Sequence, residues 1–287
     1  MEVFEPEKIN IKCKDGVSIS ASVYEPKGTI KGAVMAAPAT GIKKQFYHHF
    51  ANFLAANGYA VITYDNRGIG ESLEGHIKYS DASLVCWGAY DMSAIFAELK
   101  ARYPNSKYHL VGHSAGGQLI GIMDDTQSLS SIFNFACSSG SLSNMKLSYY
   151  VKASFFMNIL IPLSNALFGH TKSQWLGMGE ALPKGVARQW RDWCNGRGYI
   201  KMAFGDSVKE HSYNELSVPS LWINAIDDDI AVDLNVADMI SVFKQTPATT
   251  KTLVPHEHGL KEIGHMKFFS RKSESLWKLA IDWFEGH

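Results

Sequence analysis

Tyr108-His109-Leu110-Val111-Gly112-His113-Ser114-Ala115-Gly116-Gly117 begins as an apolar run of strand character and ends in small residues. Gln118-Leu119-Ile120-Gly121-Ile122-Met123 follows and suits a helix. The centre reads G-x-S-x-G with one glycine to spare. A strand, a sharp turn and a helix form the context in which that frame lifts a serine hydroxyl above a sheet edge. The turn strains the backbone at Ser114 and sets it at a helix N-terminus, where unpaired N–H groups favour developing negative charge. The plainer alternative is a glycine-rich strand-to-helix turn with an inert serine. The strand-and-helix context favours a nucleophile.

The same rhythm extends in both directions. Continuous apolar runs occur at Ala33–Ala37, Tyr59–Tyr64, Ile132–Cys137, Ser220–Ala225 and Thr252–Val254. Between them Phe46, Phe50, Phe53 and Leu54 recur at helical spacing, stopped by Asn57-Gly58. Met92, Ile95, Phe96 and Leu99 do the same ahead of Pro104, and Leu276, Leu279, Ala280 and Trp283 near the end. Strands apolar on both faces, alternating with helices, predict an α/β fold with a mostly parallel twisted sheet covered on both sides. Ile9, Ile11 and Cys13, then Val17, Ile19, Ala21 and Val23, flank Asp15-Gly16 and predict an antiparallel N-terminal hairpin. Ser138–Val218 breaks the alternation and holds Trp175, Trp190 and Trp193 with Pro162 and Pro183. The expected organisation is a core of residues 1–137 and 219–287 with a helical cap inserted over 138–218.

Composition narrows the function. The 287 residues carry 28 basic and 28 acidic side chains with no long basic run, which argues against a nucleic-acid partner. Four cysteines lie far apart without a C-x-x-C pair, as suits a reducing compartment. The acidic start, Met1-Glu2-Val3-Phe4-Glu5-Pro6-Glu7, has no signal-peptide pattern, so a cytoplasmic location is expected. Tyr149–Phe168 is the most apolar stretch, but Lys152, Asn158, Pro162, Ser164 and Asn165 interrupt it. A spanning helix wants about 20 nearly unbroken apolar residues. A buried cap segment is therefore expected rather than a stable span, with transient contact to lipid or a lipidic substrate as the sharper alternative.

A serine hydroxyl needs a base, and the base an orienting carboxylate. In the strand–turn–helix setting the chain order is serine, acid, histidine. Asp227-Asp228-Asp229 follows the strand Trp222–Ala225, and Gly264-His265-Met266 lies in a loop before the last helix. His265 is the expected base, with His256 and His258 as competitors. Asp228 is the expected acid, with Asp227 and Asp229 as alternatives. His113 adjoins the serine but points elsewhere in such a turn.

These residues give a specific resemblance. Pro38-Ala39-Thr40-Gly41, Tyr64-Asp65-Asn66-Arg67-Gly68-Ile69-Gly70-Glu71-Ser72, Gly112–Gly117 and Ile263-Gly264-His265 resemble the α/β-hydrolase superfamily. The likeness is to its bacterial serine esterase- or lipase-like members, and it extends to Pro183–Arg188 in the cap. In many relatives proline stands four positions after the acid. Here that position is Val232, which points back to Asp228. Most relatives carry His-Gly after the third strand where this chain has Pro38-Ala39. The resemblance then implies an oxyanion hole from the backbone N–H of Ala115 with that of Thr40, or else Ala39. It makes Asp65–Ser72 a structural turn, and Leu73 breaks the G-x-G-x-x-G that a dinucleotide needs. His256-Glu257-His258 lacks a third metal ligand, so neither metal nor cofactor is expected.

The expected chemistry is hydrolysis of a carboxylic ester or thioester of an apolar acyl group through an acyl-enzyme. The substrate is a small molecule, and Phe155, Phe156 and Trp175 are the cap side chains expected to line its pocket. Tyr149, Tyr150 and Met157 belong to the same apolar set. An acyltransferase with the same residues, or a binding protein without activity, are the alternatives.

Overall fold

The computed structural model describes residues 4–287, so Met1, Glu2 and Val3 of the acidic start lie outside the described residues. Eight strands form the main sheet: β1 Glu7–Lys12, β2 Ser18–Tyr24, β3 Gly32–Ala37, β4 Tyr59–Tyr64, β5 Tyr108–His113, β6 Ser131–Phe135, β9 Ser220–Ala225 and β10 Ala248–Leu253. A separate antiparallel pair, β7 His170–Thr171 and β8 Leu182–Pro183, falls between β6 and β9. The sheet order is β1-β2-β4-β3-β5-β6-β9-β10. β1 and β2 pair antiparallel, with Ile11 opposite Ile19, β2 pairs antiparallel with β4, and every later neighbour is parallel. The expected mostly parallel sheet with an N-terminal antiparallel hairpin is what forms.

That order fixes where chemistry can sit. β3 lies between β4 and β5. The chain leaves β3 toward one edge and leaves β5 toward the other. The two loops diverge at the carboxyl ends of adjacent parallel strands, and the crevice between them is the usual ligand position in such sheets. Pro38–Gly41 and Ser114 occupy those two loops.

The helices are α1 His48–Ala56, α2 Leu84–Cys86, α3 Ser93–Arg102, α4 Ala115–Gln118, α5 Leu147–Phe155, α6 Ile161–Phe168, α7 Lys184–Cys194, α8 Asp233–Ile240 and α9 Glu274–Glu285. α1 and α9 cover one end of the sheet, where Phe50, Phe135, Phe269 and Trp277 meet edge to face at 5.2–6.3 Å. α2 and α3 are one helix joined by a π-turn over Trp87–Met92. The turn carries Asp91, which is buried and receives Arg67 Nε at 2.7 Å and the Arg67 N–H at 2.9 Å. Arg67 also reaches Asp15 in the hairpin. Asp65 accepts the backbone N–H of Lys44 and Glu71 at 2.7 and 2.9 Å, and Lys44 Nζ at 3.0 Å. The Asp65–Ser72 segment thus staples the hairpin, β4 and the first helix together.

Two expectations are corrected. The last strand begins at Ala248, ahead of Thr252; its first five residues are exposed and four of them polar, as an edge strand allows, and apolar runs could not reveal it. The Tyr149–Phe168 stretch is not a buried segment. It belongs to a continuous helix, Leu147–Phe168, that is long and apolar enough by length and composition to cross a membrane, with most of its length unburied. Ser164 and Asn165, which seemed to interrupt it, face inward.

Two histidines bury their rings in this frame. Burial is the main cause that pulls His109 down to about 4 and His113 to about 3. Unfolded imidazoles titrate near 6.5. Their stabilisation is complete above pH 6.5 and is lost as pH falls, since the unfolded chain then takes protons the fold refuses. Asp91, pushed up to about 6 by burial, acts in the opposite sense below pH 6. The net expectation is a fall of roughly one proton's worth, about 1.4 kcal/mol per pH unit, between pH 6 and 5. Urea midpoints across that range check it. His109→Phe, which keeps the stack on Phe284 at 4.5 Å, should flatten the slope; an unchanged slope would show that His109 is not the titrating group.

Candidate active site

The turn at Ser114 has the strain its frame requires. Ser114 sits at φ 49°, ψ −113°, ahead of α4. Its N–H bonds to Phe135 O at 3.1 Å, tying the turn to β6. A Cβ at Gly116 would stand 2.1 Å from Ala37 O, and one at Gly117 2.3 Å from Cys137 Sγ. Only glycine lets the turn approach β3 and β6 so closely. The helix that follows is shorter than the sequence suggests: four residues, then a 3-10 turn over Ile120–Ile122. Its carbonyls are taken from outside, as Tyr213 Oη donates to Gln118 O and the Ser212 N–H to Gly121 O at 2.7 Å.

Ser114, His265 and Asp228 come together from three loops. Ser114 Oγ lies 3.1 Å from His265 Nε2, and His265 Nδ1 lies 2.8 Å from Asp228 Oδ2. Asp228 is 1% exposed, and its Oδ1 accepts the N–H of Ile230 and Ala231 at 2.8 and 2.9 Å. Burial pushes its carboxyl up, but the His265 ring and those two amides outweigh burial and hold it below the usual carboxylate range. Asp227 turns the other way and accepts the N–H of Ile263 and Gly264 at 2.9 and 3.1 Å, fixing the loop that carries His265. Asp229 is exposed. His256 and His258 lie in a 3-10 turn, Pro255–His258, after β10 and not on a strand face; neither lines the cavity at Ser114. A hydroxyl bonded to an imidazole, itself bonded to a buried carboxylate, can pass its proton to the ring as its oxygen attacks a carbonyl.

A second chain of hydrogen bonds escaped the sequence reading. The Ala39 N–H donates to Tyr47 Oη at 2.9 Å, and because His113 Nε2 faces the His265 carbonyl, which can only accept, His113 Nδ1 accepts from the phenol at 2.9 Å. His113 then carries its proton on Nε2 and donates to His265 O at 3.0 Å. Tyr47 and His113 are buried. The chain ties the loop after β3 to the loop of His265. Tyr47, in the 3-10 turn before α1, carried no signal for this task in the sequence. The same contact commits the Ala39 N–H. The N–H groups of Thr40 and Ala115 have no hydrogen-bond partner among the described residues.

A cavity of about 870 Å³ opens at Ser114 and His265. Phe155 and Phe156 line it, with Tyr149, Met145, Met157 and Trp190. Trp175 does not. It is 66% exposed, edge-on to Phe168 at 5.9 Å, with Lys172 Nζ 4.4 Å from its ring centre. Tyr150 also faces outward. A tally of large apolar groups cannot tell which side of a helix or turn faces the cavity; Tyr150 lies on the outer side of α5 and Trp175 in a separate 3-10 turn, Ser173–Leu176, and the expectation for these two side chains fails for that reason. Lys152 is the one Lys, Arg, Asp or Glu among the cavity's lining residues. No group of three or more metal-ligating side chains occurs among the described residues.

A family model described as serine aminopeptidase, S33, matches residues 28–174, just over half of the chain. No curated protein sequence matches significantly. Among solved structures, a soluble variant of monoglyceride lipase from Saccharomyces cerevisiae, in complex with a substrate analogue, is 15% identical with a TM-score of 0.67; the match covers 100% of this chain and 96% of that one. A thermostable carboxyl esterase from Bacillus coagulans in complex with glycerol is 14% identical with a TM-score of 0.63, covering 100% and 99%. An esterase from Pyrococcus furiosus is 13% identical with a TM-score of 0.59, covering 98% and 92%. At such identity these likenesses speak for the fold.

Proposed function

We propose that this chain, which belongs to the α/β-hydrolase family described as serine aminopeptidase, S33, is a serine hydrolase of carboxylic esters or thioesters with apolar acyl groups. The observation that carries the reading is the hydrogen-bonded series Ser114 Oγ, His265 and buried Asp228 at the floor of an apolar cavity. In this reading Ser114 attacks the carbonyl. His265 takes the hydroxyl proton and returns it to the leaving group. Asp228 holds the ring and balances its charge. The N–H groups of Ala115 and Thr40 receive the oxyanion, where two aligned donors supply several kcal/mol. Water then opens the acyl-enzyme. Residues 138–218 act as the cap over the site. The four unpaired cysteines suit a reducing, cytoplasmic setting.

The cavity's chemistry favours esters over the free amino-terminal peptides that the family's name suggests. An α-ammonium group wants a carboxylate near the scissile bond, and the lining contains neither Asp nor Glu. It contains Met145, Met157, Met178 and Met266, flexible side chains that adapt to apolar chains of varied shape. Each added methylene should raise kcat/KM by up to about fourfold, from ~0.8 kcal/mol per buried CH₂, until the cavity is full. The measurement is kcat/KM over straight-chain esters of one leaving group. An optimum that moves to longer chains in Met157→Ala supports the reading. Indifference to chain length, or faster cleavage of aminoacyl amides than of any ester, overturns it.

A further inference from the structure

The outward face of the Leu147–Phe168 helix has no packing partner among the described residues. Leu147, Val151, Phe155, Ile159, Leu163 and Leu167 recur every fourth residue and stand 54–76% exposed. Such a row creeps round a straight helix of 3.6 residues per turn. The wider π-turn at Phe156–Leu160 draws it back toward one face. Toward its C-terminal end two polar residues turn inward, while Ser148, Lys152 and Asn158 stay at the surface nearer its start. Buried Ser164 donates to His170 O at 3.0 Å, and buried Asn165 accepts from Thr171 Oγ1 at 2.8 Å. A helix built to face water shows the reverse arrangement. Extended exposed apolar surface of this kind marks a docking face.

We propose that this face docks flat on an anionic lipid surface, with the helix lying in the interface plane. Charge selects the occupant. From Thr126 to Gly179 the sequence has no Asp or Glu, while Lys146, Lys152 and Lys172 fall inside it. On α7, packed beside the helix, the acidic Asp192 is held between Arg188 at 3.8 Å and Arg191 at 2.5 Å. At the far end Lys172 Nζ sits 3.6 Å from the Phe168 ring centre and 4.4 Å from that of Trp175. Apolar side chains edged by lysine and tryptophan, free of carboxylates, are the composition of interfacial helices on anionic headgroups. A second copy would bring lysines against lysines. A crossing helix would have to strip Phe156, Met157 and Ile161 from the fold, where all three are buried. Phe155 belongs both to the exposed row and to the cavity wall. Docking therefore brings the cavity beside the lipid, and an amphiphile need not cross water to enter.

The inference goes beyond the proposed reaction and does not require it, so the test avoids turnover. The full chain is floated with vesicles of ether-linked phosphatidylcholine, with and without ether-linked phosphatidylglycerol, which no esterase can cleave. Flotation should require phosphatidylglycerol. It should drop by about tenfold or more in Ile159→Glu/Leu163→Glu/Leu167→Glu, whose added charges repel an anionic surface, and stay unchanged in Leu234→Glu on the exposed face of α8. Hydrolysis of a short soluble ester should be equal in all three proteins, which reports an intact fold. If no protein hydrolyses any ester while flotation behaves as described, the reaction reading fails and docking stands. Docking is overturned if the wild type does not float, or if the triple variant floats equally well. A wild-type dimer that the triple variant abolishes, without vesicle binding, overturns it in favour of a second copy. Wild-type protein that resists alkaline extraction from the vesicles overturns it in favour of a span.

Discussion

Ser114→Ala should lower ester turnover by about 10⁴-fold or more without loss of the fold. The size follows from what the hydroxyl alone can do. The substitution leaves the Ala115 and Thr40 amides and the cavity in place. Residual rate is then limited to water activated without a covalent step. The fold should survive because alanine meets the same strain at φ 49° that serine already bears, and no glycine contact is disturbed. A fluorophosphonate should label the wild type at one site and the variant not at all. Near wild-type turnover in a folded variant would end the nucleophile assignment and move the chemistry to another group.

What could be read in the sequence was set by period and by punctuation. β3 to β6 are buried almost throughout, so each shows as a mainly apolar run bounded by turn residues. The glycines around Ser114 show because close backbone approach leaves no other choice. β10 was legible only at its buried end, because an exposed edge strand carries threonines and lysine that any loop can carry. Asp91 was invisible as a partner of Arg67, since a π-turn, not a spacing, aims it. The Tyr47–His113 link was hidden for a similar reason: 66 residues separate two side chains whose types fit a core as well as a relay. The Leu147–Phe168 helix inverts the usual rule. Its apolar count was plain, but composition does not say which side of a helix faces the protein. Of the polar residues taken as interruptions, Ser164 and Asn165 prove to face in, while Lys152 and Asn158 are exposed.

Asp228→Asn should lower kcat/KM by an amount on the order of 10⁴, far more than the same change at Asp227 or Asp229. The geometry forces the result. Asp228 Oδ1 accepts two backbone N–H groups, from Ile230 and Ala231. In asparagine the amide oxygen must stay with those two donors, so the NH₂ group is turned toward His265 Nδ1. That nitrogen must then accept, which moves the ring proton to Nε2, facing Ser114 Oγ at 3.1 Å. A ring protonated there cannot take the serine proton. The variant should keep its fold and its substrate affinity while losing kcat. Asp227→Asn acts through another path. It sets an NH₂ group against the N–H of Ile263 or Gly264 and loosens the loop that carries His265. A loss of roughly 10- to 100-fold is expected there, in keeping with a small displacement of the base. Asp229→Asn, at an exposed side chain, should be close to neutral. Steady-state kinetics of the three variants decide the matter: if Asp227→Asn is the worst, the carboxylate that serves His265 has been misassigned by one residue.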